Sequence, residues 1–207
     1  MPGNDGGEEP VIDAGRLDGG QVDAGKRDAG FVDSGTPKLD AGPIIDPGNC
    51  LRTPPWNKVV NAGFECAANT AWNVSNGIGT VVDGGHSGGK AMHAVTNAQG
   101  EARVGQDTVV ADTDGKTYCA QVWAYGSSPI VRLEVRATPS GAGTASSSPL
   151  ASESWIKVPP GGPLRVTSPR GESLSLLVLT QLADAGATLV VDDFELWLSP
   201  SGLCDEH

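Results

Sequence analysis

The sequence is poor in the residues that most often hold metals or carry chemistry. It has three histidines and four cysteines in 207 residues, with no C-x-x-C spacing, which argues against a zinc site. No apolar run reaches the length that crosses a bilayer as a helix, and no segment keeps a 3.6-residue apolar period. Basic residues are scarce as well, 14 against 25 acidic, so the net charge is −11. An anionic chain repels phosphate backbones and anionic membranes, which sets nucleic acid aside as a partner. By the same rule neutral polymers are favoured over polyanionic ones as partners, unless Arg132 and Arg136 focus the field locally.

Composition divides the chain. Residues 1–49 hold 11 Gly, 5 Pro and one aromatic, Phe31, with 10 acidic and 4 basic residues. Such a stretch cannot bury a core. Asp13, Asp18, Asp23, Asp28 and Asp33 recur every fifth residue, mostly as Asp-Ala-Gly, a period that matches neither a helix nor a strand face. The expectation is a disordered, self-repelling acidic linker with an end-to-end distance of roughly 40 Å. The spacing does not match a calcium loop. These repeats resemble the linkers behind the lipidated cysteine of bacterial surface lipoproteins. The resemblance implies a secreted or outer-surface protein anchored through its N-terminal tail, with the signal peptide and lipid anchor lost from a trimmed start.

Residues 50–207 are enough for one domain, and all their signals are of strands. Candidate runs cover 57–65, 78–83, 90–96, 101–110, 116–125, 129–138, 154–159, 163–168, 172–182 and 187–198, separated by Gly, Pro, Ser and Asp clusters. The stretch 139–149 reads as a long flexible loop. The expected fold is all-β, a two-sheet β-sandwich of jelly-roll type behind the disordered tail. Four cysteines in an exported chain favour two disulfides, for which three pairings exist. Antiparallel pairing of the first and last strands would bring Cys50 beside Cys204 and leave Cys66 with Cys119; four reduced thiols are the alternative.

Two short segments at opposite ends of this domain stand out, Asn61-Ala-Gly-Phe-Glu65 and Val190-Val-Asp-Asp-Phe-Glu-Leu196. As a strand, the second places Val190, Asp192, Phe194 and Leu196 on one face, so a carboxylate points toward a core. A buried carboxylate needs a cation or a dense set of donors. With Trp72, Gly85-His-Ser-Gly-Gly-Lys-Ala-Met92, Gly115-Lys-Thr-Tyr118 and Trp155, these segments resemble the family 4/9 carbohydrate-binding modules, which have a galactose-binding-domain-like jelly roll. The resemblance runs through most of 57–198 and implies a structural calcium near the junction of the first and last strands. Carried over by position, Asp192 and then Glu65 are its carboxylate ligands, with carbonyls of the Gly85–Lys90 loop completing the shell. It also implies core positions for Trp72 and Trp155.

For the glycan, alternation on 118–125 turns Gln121, Trp123 and Tyr125 outward, and on 129–138 it turns Arg132, Glu134 and Arg136 outward. If the two strands are neighbours, aromatic rings for sugar stacking lie beside polar groups for sugar hydroxyls on one surface. The competing readings are a protein contact at Trp123 or a solvated face with cross-strand ion pairs. Trp197, opposite in parity to Phe194, is expected near the domain edge. Gly85–Gly89 satisfies G-x-S-x-G, but its glycines oppose the helix that a nucleophile elbow requires, and nothing brings Glu134 to Glu153 for glycoside hydrolysis. The sequence therefore reads as a noncatalytic, extracellular, calcium-bearing glycan-binding module, the alternative being a structural or adhesive surface-lipoprotein domain that contacts protein.

Overall fold

The computed structural model describes residues 54–66 and 71–204. The linker expected over 1–49, and Cys50, lie outside the described residues. Among the described residues eleven strands form two antiparallel sheets. The five-stranded sheet has the order β1 (Asn73–Ser75), β4 (Arg103–Val110), β10 (Ser173–Gln181), β6 (Ile130–Thr138), β7 (Gly143–Pro149). The six-stranded sheet runs β2 (Gly77–Asp83), β3 (Lys90–Thr96), β11 (Thr188–Ser199), β5 (Thr117–Tyr125), β8 (Ile156–Val158), with β9 (Leu164–Thr167) also on β5. Among the described residues no helix is long and apolar enough to cross a membrane.

Period-two alternation builds the core. β10 reads Ser-Leu-Ser-Leu-Leu-Val-Leu-Thr-Gln and buries every second residue, with Leu174, Leu176 and Val178 facing inward. Opposite them lie Ala120, Val122 and Ala124 of β5 and Leu189, Val191, Phe194 and Leu196 of β11. Fully burying a side chain of this size contributes about 1.5–3 kcal/mol, so these rows hold the sheets together.

Four expectations are corrected. The segment 57–65 is no strand beyond an isolated bridge from Asn57 to Trp197. Left-handed backbone at Asn61 (φ 49°) and Phe64 (φ 56°) turns it back on itself, and it closes one edge of the sandwich. Phe64 is fully buried there against Trp72 and Phe194, with ring centroids at 4.7 and 5.9 Å. Gln106 of β4 ties the segment across, donating to the Val60 carbonyl at 2.5 Å. The stretch 139–149 is not one loop, since its second half is edge strand β7, paired with β6 from Ile130↔Pro149 to Arg136↔Gly143.

Among the described residues a disulfide joins Cys119 to Cys204, with 5.6 Å between Cα atoms. That replaces both Cys50–Cys204 and Cys66–Cys119. The reason is register: β11 places Trp197 directly opposite Cys119, and a turn closed by Gly202 N–H donating to Ser199 C=O brings Cys204 back over the same spot. Cys66 is buried elsewhere, its amide donating to the Asn61 side chain. Trp197 is 2% exposed, held under the disulfide and edge-on to Trp56, and is not an exposed edge residue.

Candidate functional site

The face of β11 switches halfway along. Asp192 pairs with Trp123 and Glu195 with Gln121, so two residues, Asp193 and Phe194, oppose the single Val122. This is a β-bulge, with Asp193 in the left-handed region at φ 48°. The bulge resets the alternation. Phe194 and Leu196 point into the core, whereas Asp192 shares the outer face with Trp123 and does not point inward with them as a straight strand would require.

Asp192 is nonetheless fully buried. The 84–89 turn folds over it, with the His86 amide donating to Oδ2 at 2.7 Å and the Asp193 amide to Oδ1 at 2.7 Å. Burial first, and the Asp193 carboxylate second, push its carboxyl up to about 8, against the opposing pull of these amides. Asp193 in turn takes His86 Nδ1 at 2.7 Å and the Ser87 hydroxyl at 2.5 Å. Glu65 reaches the same turn, its Oε1 accepting from the Lys90 amide at 3.0 Å. Glycines make the approach possible: a Cβ on Gly88 would overlap Glu65 Oε1, one on Gly85 would lie 2.8 Å from Asp192 Oδ2, and one on Gly63 3.6 Å from Asp192 Oδ1.

The structure thus brings the Gly85–Lys90 turn against both Glu65 and Asp192. No group of three His, Cys, Asp or Glu side chains among the described residues is arranged as a ready-made metal cluster. The donor chemistry still suits a hard cation, because the converging side-chain atoms are carboxylate oxygens and no Lys or Arg pairs with Asp192. Ser87 gives its hydroxyl to Asp193 rather than to a histidine, so the G-x-S-x-G match builds no nucleophile–base pair.

The six residues expected to form a glycan face are divided between opposite faces of the sandwich. β5 and β6 follow each other in sequence but belong to different sheets. Gln121, Trp123 and Tyr125 lie on the outer side of the six-stranded sheet, where the chain itself occupies them. His86 stacks on Trp123 at 3.9 Å and 16°, Lys157 Nζ sits 5.6 Å from the same ring, Trp155 meets Tyr125 edge-on at 4.6 Å, and Gln121 is buried with its amide on Glu195. Trp155 therefore packs on the outside, and only Trp72 of the two expected core tryptophans is in the core.

Arg132, Glu134 and Arg136 lie on the outer side of the five-stranded sheet. Glu134 is 7% exposed and is held between the Nε atoms of Arg132, at 3.4 Å, and Arg136. Beside them is a depression of about 220 Å³ that crosses β1, β4, β10 and β6, lined by Asn73, Ser75, Arg103, Gly105, Asp107, Arg136, Ser175 and Leu177. Asn73 donates to Asp107 at 2.6 Å, fixing one wall. A second, wider groove of about 440 Å³ runs between β7 and the 159–163 turn, where Arg165 is the one charged side chain in its lining. The first depression went unforeseen because its lining comes from four strands that are distant in sequence, and alternation assigns a face but not a sheet.

No protein-family model matches the sequence, and no curated protein matches it. Solved structures do. TmCBM61, in complex with β-1,4-galactotriose, superimposes with a TM-score of 0.53 at 19% identity, over 69% of this chain and 99% of that one. The CBM22-1 xylan-binding domain of Paenibacillus barcinonensis Xyn10C gives 0.51 at 16% identity, over 66% and 91%. A family 16 carbohydrate-binding module gives 0.51 at 15% identity, over 68% and 99%. The chain is therefore a β-sandwich with the jelly-roll fold that these carbohydrate-binding modules share.

Proposed function

We propose that this chain is a noncatalytic glycan-binding module that grips a polysaccharide on the outer face of its five-stranded sheet. The observation that carries the proposal is the depression across β1, β4, β10 and β6. It combines hydrogen-bonding side chains of both kinds, Asn73, Arg103, Asp107, Arg136 and Ser175, with an apolar floor at Leu177, groups that can meet the hydroxyls and the apolar face of a sugar ring. The fold shared with a module solved in complex with β-1,4-galactotriose and with a xylan-binding domain supports the same reading. Glu134, the one carboxylate on this face with two arginine partners, serves as a clamp for them and not as an acid.

The reading extends to three further properties. A calcium ion held by Glu65 and Asp192, with carbonyls of the Gly85–Lys90 turn, would lock that turn onto the bulge of β11. A disulfide at Cys119–Cys204 suits an oxidising compartment, in keeping with a secreted or outer-surface protein tethered by its acidic tail. The segments 61–65 and 190–196 remain the ground for kinship with family 4/9. Affinity electrophoresis and calorimetry against a panel of soluble polysaccharides test the function, with Ser175→Trp, which fills the depression, as the control. Binding is expected for wild-type protein and lost in the folded variant. A folded wild-type sample that ignores every polysaccharide rejects the proposal, and retained binding in Ser175→Trp moves it off this face.

A further inference from the structure

Arg103 forms one wall of the depression. It stands on β4 between Ser75 of β1 and Leu179 of β10. Its side chain is 40% exposed, and its ion pair among the described residues is a long approach, Nη2 to Glu101 Oε2 at 3.7 Å. Its Nε is buried with no acceptor among the described residues. A buried donor without an acceptor is costly, more so on a charged group. Arg136, on the opposite wall, is 58% exposed and spends its Nε on Glu134.

The acids on this face are committed in a different way. Glu134 is shared by two arginines, Asp107 takes the Asn73 amide, and Glu101 takes the Asn76 amide at 2.7 Å. A carboxylate already holding its donors offers little to a ligand, whereas each guanidinium carries five N–H groups and no acceptor. Local balance is therefore donor-rich, although the whole chain is anionic.

Building on the glycan-binding reading above, we infer that the depression selects a sugar residue bearing a carboxylate, so that the ligand is an acidic, uronate-containing polysaccharide. The carboxylate sits between Arg103 and Arg136, engaged by the planar fork of Arg103, with Ser175 beside it for ring hydroxyls. Charge-assisted, two-pronged pairing of this kind is the strongest polar contact available to a protein at a surface.

The test is calorimetry of wild-type protein and of Arg103→Gln against polygalacturonate, alginate, and the neutral chains galactan and xylan, at low and high salt, with thermal melting to show that each sample is folded. Wild-type protein should prefer a uronate chain, lose affinity as salt rises, and bind at least about tenfold more weakly in Arg103→Gln. Arg136→Gln, on the more exposed wall, supplies a second reading should Arg103→Gln fail to fold. Equal or tighter binding to galactan or xylan overturns the inference and leaves the glycan-binding function standing. Uronate binding undiminished in the folded arginine variants overturns it as well. Absence of binding to all four chains overturns both.

Discussion

On the outer side of the six-stranded sheet the chain has built over itself, with the Cys119–Cys204 bridge and Trp56 at one end, the Gln121–Glu195 pair in the middle, and the His86 turn with Trp123, Tyr125 and Trp155 at the other. The outer side of the five-stranded sheet carries short side chains, three arginines and a depression, and no aromatic ring among the residues of its strands. The aromatic residues that most suggest sugar stacking thus sit where they hold the fold together. Under the proposal above, a glycan on the face left open would be met by hydrogen bonds. Substitutions on the first face should change stability and spare binding, and substitutions on the second should do the reverse.

The largest effect expected is that of Cys204→Ser, which opens a link spanning 85 residues and should cost about 2–5 kcal/mol in denaturant unfolding while the folded variant binds polysaccharide as before. Parallel loss of binding below its unfolding transition would erase the distinction between the faces. Next comes calcium. At a free concentration a hundred times its dissociation constant it should stabilise wild-type protein by about 2.7 kcal/mol, seen as a higher melting temperature that a chelator reverses, and Asp192→Ala should lack the response. Melting of the wild type that is indifferent to chelator would remove the ion from the account. Smallest is Trp123→Ala, which gives up the His86 stack and should cost about 1 kcal/mol with affinity unchanged. A marked drop in affinity would return the glycan to the six-stranded face.

Much of the sandwich was legible because alternation and turn residues act locally. The run 90–96 is β3 to the residue, and Gly, Pro and Ser clusters separate the rest as expected. The meeting of 61–65 with the last strand was implied by the resemblance those two segments carry: the Phe194 amide donates to Ala62 C=O at 3.1 Å. The bulge was not. Nothing in Asp192-Asp193 specifies which residue takes left-handed backbone, and a one-residue offset inverts every later side chain. The pairing of β5 with β11 and of β6 with β10 depends on crossings between sheets, which periodicity does not encode, and this is why Trp123 and Arg132 were placed on one surface when they lie on two.

The bridge from Cys119 to Cys204 has a mechanical consequence. Pro54–Asn57 enters the sandwich beside Trp197, and the described chain leaves it at Cys204, so both ends of the body meet at the same covalently fastened pole. Load applied at Cys204 passes through the bridge into β5, which has strands on both of its sides, as well as into the end of β11.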